Sequence, residues 1–239
     1  MLLNILALVL LISLTIISYI LVKKGFAENT KFLKSVAVFL FTYKTIEIVF
    51  GIILGDLTKY PIEYSTIFYF FFSLVIISKN KKLLGAATTG AFISGTGYLV
   101  FLVFNINNMV ESHRSIGHLP GFMIGMLSHS ILYVLSIMYM TTNEFNYKKE
   151  IVRINLIAIL IGIHAGIMNQ FIDYDSLTVF INVLIYGDAL PFFKKNLFLK
   201  ILYFPFILLL YNLAIFGFYK LNALFVKRYE EQEIQTAAT

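Results

Sequence analysis

Apolar residues along this chain gather in long runs near residues 2 to 22, 35 to 55, 62 to 78, 83 to 104, 119 to 140, 152 to 172 and 197 to 219, separated by short polar stretches. Each run is close to the roughly 20 residues that cross a hydrocarbon layer at about 1.5 Å per residue. Each must be helical there, because lipid offers no partner to an open backbone. The pattern predicts an all-α, polytopic transmembrane helical bundle of about seven spans over residues 1 to 226. A polar tail, KRYEEQEIQTAAT at 227 to 239, follows without periodic apolar residues and reads as a solvated end. One further apolar stretch, LTVFINVLIYGDAL at 177 to 190, is too short to span and reads as re-entrant, interfacial or an extension of the sixth helix.

The basic residues then orient the bundle. Lys23, Lys24, Lys31 and Lys34 follow the first run, Lys79, Lys81 and Lys82 the third, and Lys148, Lys149 and Arg153 the fifth. The intervening loops carry only Lys59, Arg114 and the pair Lys194 and Lys195. By the positive-inside rule the N-terminus is outside, and the C-terminal tail with Lys227 and Arg228 is cytoplasmic, in a multi-pass protein of the cell membrane. The first run has no basic residue before it and no small-residue cleavage site after it, so it reads as a retained anchor.

Composition agrees. The chain of 239 residues is 59% hydrophobic and 13% charged, with mean hydropathy +0.83, against about 45 to 50% and about 25% in soluble domains. The formal charge of +6 sits in clusters beside apolar runs and forms no stripe with stacking aromatics, so the expected partners are membrane lipids and not nucleic acid. Cysteine is absent, which removes disulfides and thiolate chemistry. Local signals place elements more closely: Pro61 and Pro120 open the third and fifth spans, and Ala87, Ala91 and Gly95 recur every four residues, a stripe that permits close helix contact and marks the fourth span as central.

Ionisable groups at membrane depth are expensive and point to function by default. Lys44 and Glu47, three apart on the second span, share a helix face and either neutralise each other as a packing device or line a cavity. Glu63 stands at the outer end of the third span, His164 in the sixth, and Asn169 five residues further on. His164, among small residues, reads first as a hydrogen-bonding group between helices. His129 lies between Ser128 and Ser130 near the middle of the fifth span, and its imidazole either accepts a hydroxyl proton or donates one hydrogen bond across the bundle. His113 and His118, in the outer loop ESHRSIGHLP, lack the spacing of a helical zinc pair, and neither a metal nor a cofactor is implied.

The order of segments carries a resemblance. YPIEYSTIFYFFFSLVIIS, then GAATTGAFISGTGYLVFLV, then LSHSILYVLSIMY resemble the YwaF-type family of bacterial seven-helix membrane proteins, over roughly residues 40 to 225. That family is similar to an animal membrane acyltransferase and, more distantly, to intramembrane hydrolases of fatty-acid esters. Its third span carries Leu-Pro-Leu-His-Leu-Cys and its fifth Ser-His. Here Pro61 matches the proline, Glu63 stands at the histidine, Ser65 at the cysteine, and Ser128 and His129 match the Ser-His pair. The resemblance implies a lipid acyltransferase or acyl-ester hydrolase with Ser65 as nucleophile and His129 as its base, although a hydroxyl ionises far less readily than a thiol and needs its base close. The alternative reading, drawn from the residues alone, is a transporter or small-ligand binding protein whose polar cavity is lined by Lys44, Glu47, Glu63, Ser128, His129, His164 and Asn169.

Overall fold

A computed structural model describes residues 2 to 55, 60 to 115, 119 to 171 and 191 to 237. The described chain is helical with no strand: α1 (Leu2–Lys23), α2 (Thr30–Ile53), α3 (Tyr64–Ile77), α4 (Lys81–Ser115), α5 (Leu119–Thr142), α6 (Tyr147–Phe171), a 3-10 turn (Pro191–Lys194) and α7 (Leu197–Ala237). Among the described residues six of these helices, all but α3, are long and apolar enough to cross a membrane. Leu and Ile side chains cover their outer faces in α1, α6 and α7, as lipid requires of a multi-pass bundle.

Expectation and structure differ at α3. Its 14 residues rise only about 21 Å, less than the roughly 30 Å of a hydrocarbon core. It is well enclosed, with Phe68, Tyr69, Phe72 and Ser73 buried. Pro61 does not open it. The helix begins after Glu63, an extended N-cap whose side chain makes no capping bond. The non-helical lead-in is still inside, with Ile62 buried, so its carbonyls need partners from the protein. His164 supplies one: its Nε2 lies 3.2 Å from the Pro61 carbonyl oxygen, a bond that puts the ring proton on that nitrogen.

The small-residue stripe behaves as the spacing suggests. Ala87 and Ala91 are fully buried, and a Cβ added at Gly95 would stand 2.9 Å from the backbone of Tyr133, so α4 and α5 touch almost main chain to main chain. Gly90 leaves room for the Phe68 ring. The helix α4 packs against α1, α3, α5, α6 and α7 and is the centre of the bundle. Side-chain hydrogen bonds fasten the rest: Thr15 with Tyr133 at 2.9 Å, Thr89 to Tyr219 at 3.2 Å, and Asn155 with Asn212 at 2.9 Å. Asn222 on α7 donates to the Met140 and Asn143 carbonyls and accepts from the Phe145 N–H, binding the α5–α6 connection to α7.

Two helices run past the predicted spans. The helix α4 continues through Ser115, so His113 belongs to its last turn and not to a loop. Its C-terminal half is tied to α1 by Asn4, which donates to Val103 O at 2.7 Å and accepts from Asn107 at 2.6 Å. The polar tail is also helical, since α7 extends to Ala237; its exposed Ile234 and the Lys227–Glu231 pair fit a solvated helix. Residues 177 to 190, His118 and the side chains of His113 and Asn169 lie outside the described residues.

Candidate functional site

The polar residues of the second, third and fifth helices meet in one seam. On α2, Lys44 and Glu47 form an ion pair at 2.6 Å, with side chains only 11% and 24% exposed. The spacing of three places both on the inner edge of one helix face. The Lys44 ammonium stands 4.6 Å above the Tyr69 ring of α3, within range of a cation–π contact that gains strength where water is scarce. The Tyr43 hydroxyl lies within reach of Glu47 and of Ser128 on α5.

His129 continues the cluster on the other side of Tyr69. Its ring is edge-on to Tyr69, centroids 5.5 Å apart, and stacked on Tyr98 of α4 at 3.9 Å with an interplanar angle of 2°. The Tyr98 hydroxyl lies beside Gly125, one turn earlier on α5. The flanking serines do not serve the imidazole: Ser128 and Ser130 donate back to the carbonyls of Ile124 and Met126 on their own helix. The Nδ1 of His129, the Tyr69 hydroxyl and the Ser73 and Ser94 hydroxyls are buried and have no hydrogen-bond partner. Native interiors leave few such groups, and each calls for a cause.

Ser65 is half-buried on α3, one turn before Tyr69 and on the same face. Among the described contacts no hydrogen bond joins it to His129; the Tyr69 ring is what faces the imidazole. Glu63 ends the lead-in of α3, and His164 is engaged with the Pro61 carbonyl of that same lead-in. Among the described residues no group of three His, Cys, Asp or Glu side chains is placed to hold a metal.

A cavity of about 510 Å³ opens at one end of the same seam. It is bordered by the α1–α2 turn, the α3–α4 turn, the end of α5 and the end of α7, so the clusters rich in lysine gather at one end of the bundle. Ala27, Leu33, Val75, Ile76, Leu84 and Val226 form its apolar lining, with Lys34, Lys79 and Lys81 among its polar residues. From Leu33 to Lys44 is about 16 Å along α2, and from Tyr139 to His129 about 15 Å along α5, by helical rise. Between lies a collar of Leu40, Phe72, Leu132 and Leu135, all essentially inaccessible.

Sequence reasoning missed the three tyrosines and the cavity. Tyr69 was signalled only as the residue one turn beyond Ser65, and Tyr98 only by its place in the stretch GTGY; a tyrosine in an apolar helix is ordinary core material. Arg153, which the sequence shows only as a topology signal, also donates to Lys82 O and pairs with the buried Glu150, pinning α6 to the start of α4. No family model, no curated protein and no solved structure matches this chain.

Proposed function

We propose that this multi-pass membrane protein binds a small polar solute within the bundle and carries it along the seam between α2, α3 and α5. The observation that supports this most is the alignment of a cavity, an apolar collar and the Lys44, Glu47, Tyr69 and His129 cluster on one path. The buried hydroxyls of Tyr69 and Ser73, both unpartnered, stand one turn apart on α3, Tyr69 within the cluster and Ser73 next to Phe72 on the side of the cavity. An ion pair kept at this depth is costly to desolvate, so a role beyond packing is the economical reading. By the positive-inside rule the end rich in lysine faces the cytoplasm of a cell membrane, and the cavity is the cytoplasmic vestibule.

The chain has no cysteine, so a single introduced thiol reports on the path without background. In proteoliposomes, Ser73→Cys is expected to react with a membrane-impermeant thiol reagent supplied from the lysine-rich side, and a cysteine at lipid-facing Ile159 is not. A Ser73→Cys protein as inert as the Ile159 control, in folded protein, would sink the route.

Acyl transfer is the second reading, favoured by the unpartnered Nδ1 of His129 and by the resemblance to the YwaF-type family. Ser65 would attack a lipid ester that enters laterally from the bilayer, His129 would take the hydroxyl proton and return it to the leaving oxygen, and water or a lipid hydroxyl would release the acyl group. Its test is labelling by a serine-directed ester probe. Modification of Ser65 that disappears in His129→Ala would favour this chemistry over carriage.

A further inference from the structure

We propose that the cavity at the lysine-rich end is a binding site for a phosphate-bearing amphiphile, with Lys79 as the residue that selects the anion. The inference deepens the vestibule reading and rests on it for the route onward, but not for binding itself.

The lining divides by chemistry. Its deep surface is apolar, with Leu33, Val75, Ile76, Ala27 and Val226 buried, while Lys34, Lys79 and Lys81 approach it from α2, from the α3–α4 turn and from the first residue of α4. Two carboxylates, Glu28 and Glu230, share the lining, and Glu28 is occupied by the Tyr229 hydroxyl at 2.5 Å. Three lysines against these two carboxylates leave a positive excess in the lining, and the positive ends of α2 and α4 are matched there by the negative ends of α3 and α5. Three lysines in the lining, one on α2 and two at the start of α4 and the turn before it, suit an anion with several equivalent oxygens, for which lysine is a frequent ligand. The apolar wall suits the carbon portion attached to it.

Lys79 carries the strongest indication that a side chain was kept for its charge. Both α1 and α3 end in the same motif. After α1, Gly25 takes the left-handed conformation at φ 74°, its N–H reaching Val22 O and that of Phe26 reaching Leu21 O. After α3, Lys79 takes it at φ 56°, its N–H reaching Ile76 O and that of Asn80 reaching Val75 O. Glycine adopts this conformation freely and an L residue does so at a cost. Among the described non-glycine residues Lys79 alone has a positive φ, and it lines the cavity.

The test uses the purified full-length protein in nanodiscs and reads the thermal unfolding midpoint. Inorganic phosphate and glycerol phosphate are titrated against protein in zwitterionic lipid, and separately the fraction of anionic phospholipid is raised at constant ionic strength. Wild-type protein is expected to be stabilised in at least one arm: a response to the soluble anions assigns a free phosphate ester, and a response to lipid alone assigns a headgroup. Lys79→Gly is expected to raise the basal midpoint by a few degrees, through relief of the backbone, while shifting the half-saturating concentration at least tenfold upward. Lys79→Arg should keep the response, as should the double change Lys148→Gln and Lys149→Gln, which removes surface charge away from the cavity. No stabilisation in either arm, or an equal loss in the Lys148 and Lys149 variant and in Lys79→Gly, overturns the proposal. Stabilisation together with an unreactive Ser73→Cys leaves the anion site standing and removes only the route, whereas the reverse pair of results removes only the anion site.

Discussion

The contact between α4 and α5 and the seam between α2, α3 and α5 are built from opposite materials. In the first, Ala87, Ala91 and Gly95 bring the helices together until the Tyr133 backbone and its Cβ face Gly95 directly. In the second, two charged residues, two tyrosines and a histidine pack with several buried polar atoms left without partners. Helices in lipid gain little from the hydrophobic effect and associate through close packing and satisfied hydrogen bonds. The α4–α5 contact follows that rule and holds the bundle together. The other seam breaks the rule at its centre, and residues that break a local rule without evident structural gain are where function is to be sought.

The contrast can be broken most sharply at Gly95. A leucine there has no space against a main chain 2.9 Å away, and Gly95→Leu is expected to cost about 3 kcal/mol or more, seen as a lowered unfolding midpoint or loss of folded protein from detergent extracts. Next comes Asn222, whose side chain serves three backbone groups of the α5–α6 connection. Asn222→Ala strands those groups and is expected to cost about 2 to 3 kcal/mol, with faster hydrogen exchange at Phe145 as a local sign. The smallest effect belongs to the polar seam. His129→Phe keeps an aromatic ring on Tyr98, removes the unpartnered Nδ1 and gives up one contact with the Ser94 backbone, so stability should change by no more than about 1 kcal/mol while carriage or labelling is lost. A large destabilisation by His129→Phe, equal to that of Asn222→Ala, would mean that the imidazole is a fastener like the asparagine and would erase the distinction between the two regions.

How much was legible in the chain follows the range of the forces involved. The helices, the stripe on α4 and the Lys44–Glu47 pair depend on neighbours three or four residues apart, and periodicity displays such relations directly. The shortness of α3 was hidden because the apolar run from Ile62 continues through residues that are buried without being helical. His164 looked like one more polar group in a span until the fold placed it under the Pro61 carbonyl, 103 residues away. The neighbours of His129 were hidden for the same reason: Tyr69 and Tyr98 lie 60 and 31 positions before it, on two other helices.

The sequence by itself determined that this is a helical membrane protein, because a chain so apolar has only one way to hold its backbone hydrogen bonds in lipid. It also determined which ends of the helices carry positive charge. Only the tertiary structure decided that those ends converge on one cavity, and that a charge pair, two tyrosines and a histidine form a single cluster beyond it. Secondary structure is a local solution to backbone desolvation, whereas a site is made of side chains brought together from distant helices, and their meeting is decided by which faces pack.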